Sequence, residues 1–257
     1  HIWVVGANGD MLFYDGVSWA DPHRSARAAL HGVWGSSECD VWAVGGYHST
    51  GYDGPVSRRM HFDGAAWRVE DTWLGVPLLD IWGADASNVW AVGGESYAAR
   101  GSGAGVIVFW DGRTWRVQQS GLPSTLYGVW GSDAGRVWAV GADATVFFWD
   151  GSAWREEPVA GHSDLELTDV GGAGADVWAV GSYERYIPED IVDHECVVLR
   201  RVGTTWETQA RFEHEACYGL WAAAGEQVWV VGDRIRSWNG VEWRVRETGS
   251  SNPLLAV

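Results

Sequence analysis

Positive charge is scarce in this sequence. Its 257 residues carry 18 Lys and Arg against 34 Asp and Glu, a formal net charge of −16. A chain this acidic repels nucleic acid and anionic membrane surfaces, so neither is expected as a partner. Cysteine is scarce too. Cys39, Cys196 and Cys217 are too few for a disulfide scaffold and lack zinc-finger spacing. No run approaches the roughly 18 apolar residues of a membrane-spanning helix, and no signal peptide is present. The first residue is His1, not Met, which reads as a start that was cleaved, trimmed or left out. Catalytic signatures are also missing. There is no Gly-x-Ser-x-Gly, no His-Glu-x-x-His and no paired-carboxylate motif.

Tryptophan and glycine are abundant instead, at 20 and 35 copies, and 46% of the chain is hydrophobic. Most of the tryptophans fall into repeats. "DVWAVG" at Asp40 recurs as "NVWAVG" at Asn88, "RVWAVG" at Arg136, "DVWAVG" at Asp176 and "QVWVVG" at Gln227, and the chain opens on "HIWVVG". A second motif follows each copy: "YDGVSW", "FDGAAW", "WDGRTW", "WDGSAW", "RVGTTW" and "WNGVEW". A third precedes the next copy, as in "LHGVWG", "LLDIWG", "LYGVWG", "LTDVGG" and "CYGLWA", and the chain ends on "LLAV".

Each unit reads as four short strands: A ("LxGVWG"), B ("DVWAVG"), C (up to "DG") and D (from the second tryptophan). Asp-Gly between C and D is a two-residue hairpin signal with positive φ at both residues. Four-stranded units of about 40–50 residues mark a β-propeller. The expected fold is therefore all-β, a six-bladed propeller of four-stranded antiparallel blades forming one domain over residues 1–257. Strand A in "LLAV" would close the ring by joining the N-terminal blade. An apolar "VWAV" suits strand B, whose two sides both face neighbouring blades.

Loop lengths place the variable part. Spacing from A to B, across the C–D hairpin and from D to A is nearly constant. The D–A segment runs 13 residues from Trp154 to Leu167, against 11 from Trp67 to Leu78. The B–C connection varies most, with insertions in blades 2, 3 and 5 that rise from one face. Rigid scaffolds carry recognition on such loops. Tyr, Arg and His in and near them make Tyr52, Arg58, Tyr97, Arg100, Tyr186 and His48 the expected ligand-binding residues. Trp73 joins them because the other copies of the repeat have no tryptophan at its position. "EDIVDHE" offers Asp190, Asp193 and Glu195 as candidate Ca²⁺ ligands, without EF-hand spacing. No other cofactor is expected. Cys196 and Cys217 fall on adjacent blades of the variable face and could pair. Cys39 lies in an A–B turn at the other end and is expected to be free.

The pattern GVWGSxxxDVWAVG…DGxxW resembles the tryptophan-rich propeller repeats of secreted and surface proteins of bacteria. The resemblance covers essentially the whole chain. It implies an extracellular, cell-surface or periplasmic protein and is nearly silent on ligand. Six-bladed lectins are similar in architecture, but their sites repeat from blade to blade, whereas these loops differ. The expected function is a non-enzymatic binding module for a glycan or a surface protein. The alternatives are a hydrolase or lyase at the central tunnel mouth, near Asp80 and Asp169, or a scaffold for a missing partner.

Overall fold

The computed structural model describes residues 1–21, 28–47, 56–72, 74–95, 105–187, 191–224, 227–247 and 252–256. Six antiparallel sheets follow one another along the chain, the pattern of a six-bladed β-propeller. Among the described residues the one helical element is a 3₁₀ turn at Ala7–Gly9. Blade 1 holds β1 (Ile2–Val5), β2 (Met11–Tyr14) and β3 (Trp19–Ala20). Blade 2 holds β4 (Leu30–Ser37), β5 (Asp40–Tyr47), β6 (Val56–Phe62) and β7 (Trp67–Thr72). Blade 3 holds β8 (Leu78–Asp85), β9 (Asn88–Gly93), β10 (Gly105–Trp110) and β11 (Trp115–Leu122). Blade 4 holds β12 (Leu126–Asp133), β13 (Arg136–Gly141), β14 (Val146–Trp149) and β15 (Trp154–Glu156). Blade 5 holds β16 (Glu166–Ala173), β17 (Asp176–Ile187), β18 (Ile191–Val202) and β19 (Thr205–Glu213). Blade 6 holds β20 (Cys217–Ala223), β21 (Gln227–Gly232), β22 (Ile235–Asn239) and β23 (Trp243–Arg246). Residues 1–129 and 130–257 form two compact units.

Strand B explains its own motif. Trp42, Trp90, Trp138 and Trp178 are each at most 2% exposed. Alternate residues of β17 serve two different clusters. Val177 and Ala179 pack with Trp138, Leu165 and Leu199, while Trp178 and Val180 pack with Cys196, Leu220 and Val230. Burial on both sides leaves no place for a polar residue within the run. The closing glycine is equally constrained. A Cβ at Gly45, Gly93 or Gly232 would lie 2.0 Å from the carbonyl oxygen of Ala29, Pro77 or Ala216. Those oxygens accept the next main-chain N–H groups, from Gly46, Gly94 and Asp233.

The first residue of the motif follows its partner on strand C. A strand-C residue covers the indole in four of these blades: Phe109 on Trp90, Phe148 on Trp138, His61 on Trp42 and the Arg200 guanidinium on Trp178. Where that cover is His61 or Arg200, the motif begins with Asp. Asp40 bonds His61 at 2.7 Å and Asp176 bonds Arg200 at 2.7 Å. Where it is Phe, the motif begins with Asn88 or Arg136.

The C–D turn differs from a two-residue hairpin. Trp110 pairs with Trp115, so the loop is four residues long, and glycine is its positive-φ residue, at 84° for Gly112. The aspartate closes the loop with its side chain. Asp111 Oδ1 accepts the N–H groups of Arg113 and Thr114, and Asp150 Oδ1 those of Ser152 and Ala153. An Asx turn of this kind needs the carboxylate and not a left-handed aspartate. The second oxygen takes the arginine after the tryptophan, as in Asp63–Arg68 and Asp150–Arg155 at 2.7 Å. These bonds hold the Asp63 and Asp111 carboxyls below the usual carboxylate range and Asp150 down to about 2, with the Ser152 hydroxyl as its largest cause.

The C-terminal "LLAV" begins as the other strands A do. Leu254 N–H donates to Gly232 O, as Leu30 N–H donates to Gly6 O. Leu254 thus corresponds to Leu30, and Leu255 to His31.

Candidate functional site

The described part of the blade 5 insertion is a two-stranded arm. It extends strands B and C to 12 residues each, against six and four in blade 4. The register continues unbroken from Trp178↔Arg200 through Ser182↔Cys196 to Ile187↔Ile191. Period-2 alternation gives the arm two faces. On one, Ser182 and Cys196 meet blade 6. On the other, Tyr183 and Glu195 continue the row of Val197 and Leu199.

Two devices fix the base of the arm. Cys196 is disulfide-bonded to Cys217 at the start of β20. Ser182 Oγ beside it accepts the Cys217 N–H at 2.9 Å. Cys39 is exposed and free. Peptide mapping is expected to find Cys196–Cys217 joined and Cys39 as a thiol. Closing a loop of 21 residues constrains the unfolded chain, so selective reduction should lower stability by about 3 kcal/mol. Unchanged denaturant midpoints after reduction would remove the bond as a brace.

The other face carries a polar network. His162 lies in the D–A connection between β15 and β16, and its ring is 5% exposed. Its Nδ1 is 2.7 Å from Tyr183 Oη and its Nε2 2.9 Å from Thr208 Oγ1. A neutral ring donates from one nitrogen and accepts at the other, and hydroxyls can answer both roles. Burial, then Arg211, push its pKa down, with Glu195 opposing. The ring is therefore neutral near pH 7. Glu195 is 5% exposed and pairs with Arg211 at 3.3 Å. Glu215 lies against it through a parallel bridge and binds Arg236 at 2.7 Å and Arg234 at 3.2 Å. Asp193 holds His214 at 2.8 Å and raises its pKa. The buried carboxylates thus have cationic partners, which buried charges require.

The expected site residues fall as follows. Asp193 and Glu195 lie two apart on β18, but their partners are His214 and Arg211. Among the described residues no three His, Cys, Asp or Glu side chains form a metal-binding group. Tyr186 lies on the arm opposite Val192. Arg58 lies on β6 between Gly45 and Asp71. His48, Tyr52, Trp73, Tyr97, Arg100 and Asp190 lie outside the described residues.

Sequence reading missed His162 and Glu215. For His162 a signal existed, because the D–A segment of blade 4 is two residues longer than the others. It also passed over Arg59. That residue is 6% exposed, 5.0 Å over the Trp115 ring, and its Nε has no partner. Aligned copies place Met11, Ile107, Val146, Val198 and Ile235 there. Its burial lowers its pKa, with Glu70 opposing.

Asp80 and Asp169 serve strand A. Asp80 Oδ1 accepts Ile81 N–H at 2.8 Å and Oδ2 accepts Val129 N–H at 2.8 Å, 49 residues on. Asp169 repeats the pattern with Val170 and Leu220. Each carboxylate ties one strand A to the next.

No protein-family model matches the chain, and none of the curated proteins matches it in sequence. Solved structures share its fold. YCF48 bound to D1 peptide superposes with a TM-score of 0.61 at 14% identity, over 95% of this chain and 76% of that one. YCF48 from Cyanidioschyzon merolae gives 0.58 at 15%, over 95% and 80%. The GH74 xyloglucanase from Xanthomonas campestris gives 0.66 at 11%, over 96% of this chain and 43% of that one. At such identities the likeness shows the fold alone.

Proposed function

We propose that this protein is a non-enzymatic recognition module that binds an extended segment of another protein on the face bearing the insertions. The observation that carries this reading is the blade 5 arm. A two-stranded projection braced by a disulfide and a buried histidine is pre-organised, which lowers the entropic cost of binding. The fold is shared with YCF48, a structure of which holds a D1 peptide. The enzyme alternative has less support, since Asp80 and Asp169 are engaged by main-chain N–H groups. The disulfide supports an oxidising, extracytoplasmic setting.

The test joins Tyr183 to Glu195 through an Asn-Gly turn, which deletes the arm and keeps both cysteines. Intact protein and arm-deleted variant are screened against a displayed peptide library and a glycan array. Peptides enriched by the intact protein should be lost from the variant, with its melting temperature little changed. Hits confined to glycans, or peptide binding that survives the deletion, would overturn the proposal.

A further inference from the structure

Among the described residues Arg59 is the one charged group with a buried nitrogen that has no partner. The six other such atoms are indole nitrogens, Trp115 Nε1 among them. The guanidinium lies 5.0 Å over the Trp115 ring, with no hydrogen bond or salt bridge to hold it. Its neighbours on the same side of β6 are both satisfied. The Ser57 hydroxyl donates to Val76 O, and His61 bonds Asp40 at 2.7 Å. Glu70 stands opposite Arg59 in the β6–β7 ladder, but it is exposed. Buried charges and polar groups ordinarily have partners. The fold itself does not ask for a cation here, since Met11 and Ile107 at the matching positions are buried at 1% and 0% exposure.

Blades 4 and 5 show what such donors receive. Glu157 accepts Arg201 Nε at 2.9 Å and Nη2 at 2.6 Å, and also the Trp206 indole N–H at 3.2 Å. One carboxylate thus serves an arginine and an indole. Trp115 and Trp206 are the same tryptophan of the repeat, the first of strand D. Glu70 holds the place of Glu157, three residues after the strand D tryptophan of its own blade, and is exposed instead of buried. Blades 2 and 3 therefore bring together an arginine and an indole N–H without the carboxylate. The surface is open beside them. Val117, two residues beyond Trp115 on the same side of β11, is 51% exposed.

We propose that Arg59 and Trp115 form a binding site for a carboxylate supplied by a ligand. The carboxylate would accept from the guanidinium fork and from the indole N–H, as Glu157 does. A monoanion matches the single unpaired cation, whereas a phosphate dianion would bring a second negative charge close to Glu70. A small free acid and the C-terminus of a polypeptide share this chemistry. The site lies on strands C and D of blades 2 and 3, so this inference is independent of peptide recognition by the blade 5 arm.

The probes are sodium propionate, its uncharged analogue propionamide, and acetyl-triglycine with a free or an amidated C-terminus. The readout is the indole N–H region of a proton–nitrogen correlation spectrum of the full chain, with the Trp115 cross-peak assigned by Trp115→Phe. Propionate is expected to shift that cross-peak saturably at millimolar concentration, and propionamide to leave it in place. Free-acid peptide binding at least tenfold tighter than propionate, and lost on amidation, would support a polypeptide terminus as the source. Equal or weaker peptide binding would support a small acid. Arg59→Met is expected to fold, because Met11 fills this position in blade 1. It should melt at the same temperature or higher and weaken propionate binding at least tenfold. Glu70→Gln should leave both melting and the propionate shift in place. Three results would overturn the proposal. One is no saturable shift at Trp115. Another is an equal shift with propionamide or in Arg59→Met. The last is a matching drop in melting temperature in Arg59→Met and Glu70→Gln, which would mean that Glu70 already serves Arg59.

Discussion

Trp138→Ala is expected to lower the unfolding free energy by about 3–5 kcal/mol, the range of large aromatic deletions in packed cores. The indole is 2% exposed. Its ring centroid lies 4.9 Å from Phe148 and 6.0 Å from Trp130, and the Arg201 guanidinium lies 5.2 Å over it. That arginine is itself committed. It holds buried Glu157 through two bonds, and Glu157 accepts the Trp206 indole N–H. Removing Trp138 therefore opens a cavity and loosens the support of a buried ion pair. Urea unfolding measures the change. Trp221, 48% exposed, is the control, and alanine there should cost less than about 1 kcal/mol. A near-zero cost at Trp138 would remove it from the core.

Stability is expected to fall as pH rises from about 4 to about 7, by an amount traceable to Asp80. Burial pushes its carboxyl up from the usual 3.8 to about 7, although the N–H groups of Val129 and Ile81 favour the ionised form. Between the two values the folded chain holds a proton that the unfolded chain has released. Folding is then favoured by acid, and the advantage is lost as pH rises through the folded value. A shift of this size corresponds to roughly 4 kcal/mol. Asp80→Asn keeps the shape and removes the titration. Denaturation of both proteins at pH 4.5 and 7.5 isolates the effect from the other titrating groups, His162 and His214 included. Equal pH dependence in wild type and Asp80→Asn would sink the assignment.

Much of this architecture was legible in the residues. "VWAVG" describes a strand covered on both sides and ending where a carbonyl leaves no room for Cβ, and both constraints act within a few residues of the motif. "DGxxWR" was legible as a turn, but its geometry was not. The pattern Asp-Gly names the residues that reverse the chain, while the four-residue loop depends on the carboxylate reaching the N–H groups two and three positions ahead. The blade 5 insertion was visible as extra length and composition. Its form as a ladder was hidden, because "SYERYIPEDIVDHE" neither alternates polar and apolar residues regularly nor carries the apolar run of the other strands.

What the sequence determined by itself is local and repeated: the number of sheets, the order of strands and the glycines and tryptophans that each copy requires. What the tertiary structure decided is the pairing of residues far apart in the chain. Asp80 with Val129, Glu157 with Arg201, His162 with Tyr183 and Glu215 with Arg236 are joined across 49, 44, 21 and 21 positions. Each occurs once or twice, so no period announces it. A single carboxylate in a strand reads as solvated until packing places it against an N–H or guanidinium from another strand, because desolvation makes such a partner necessary.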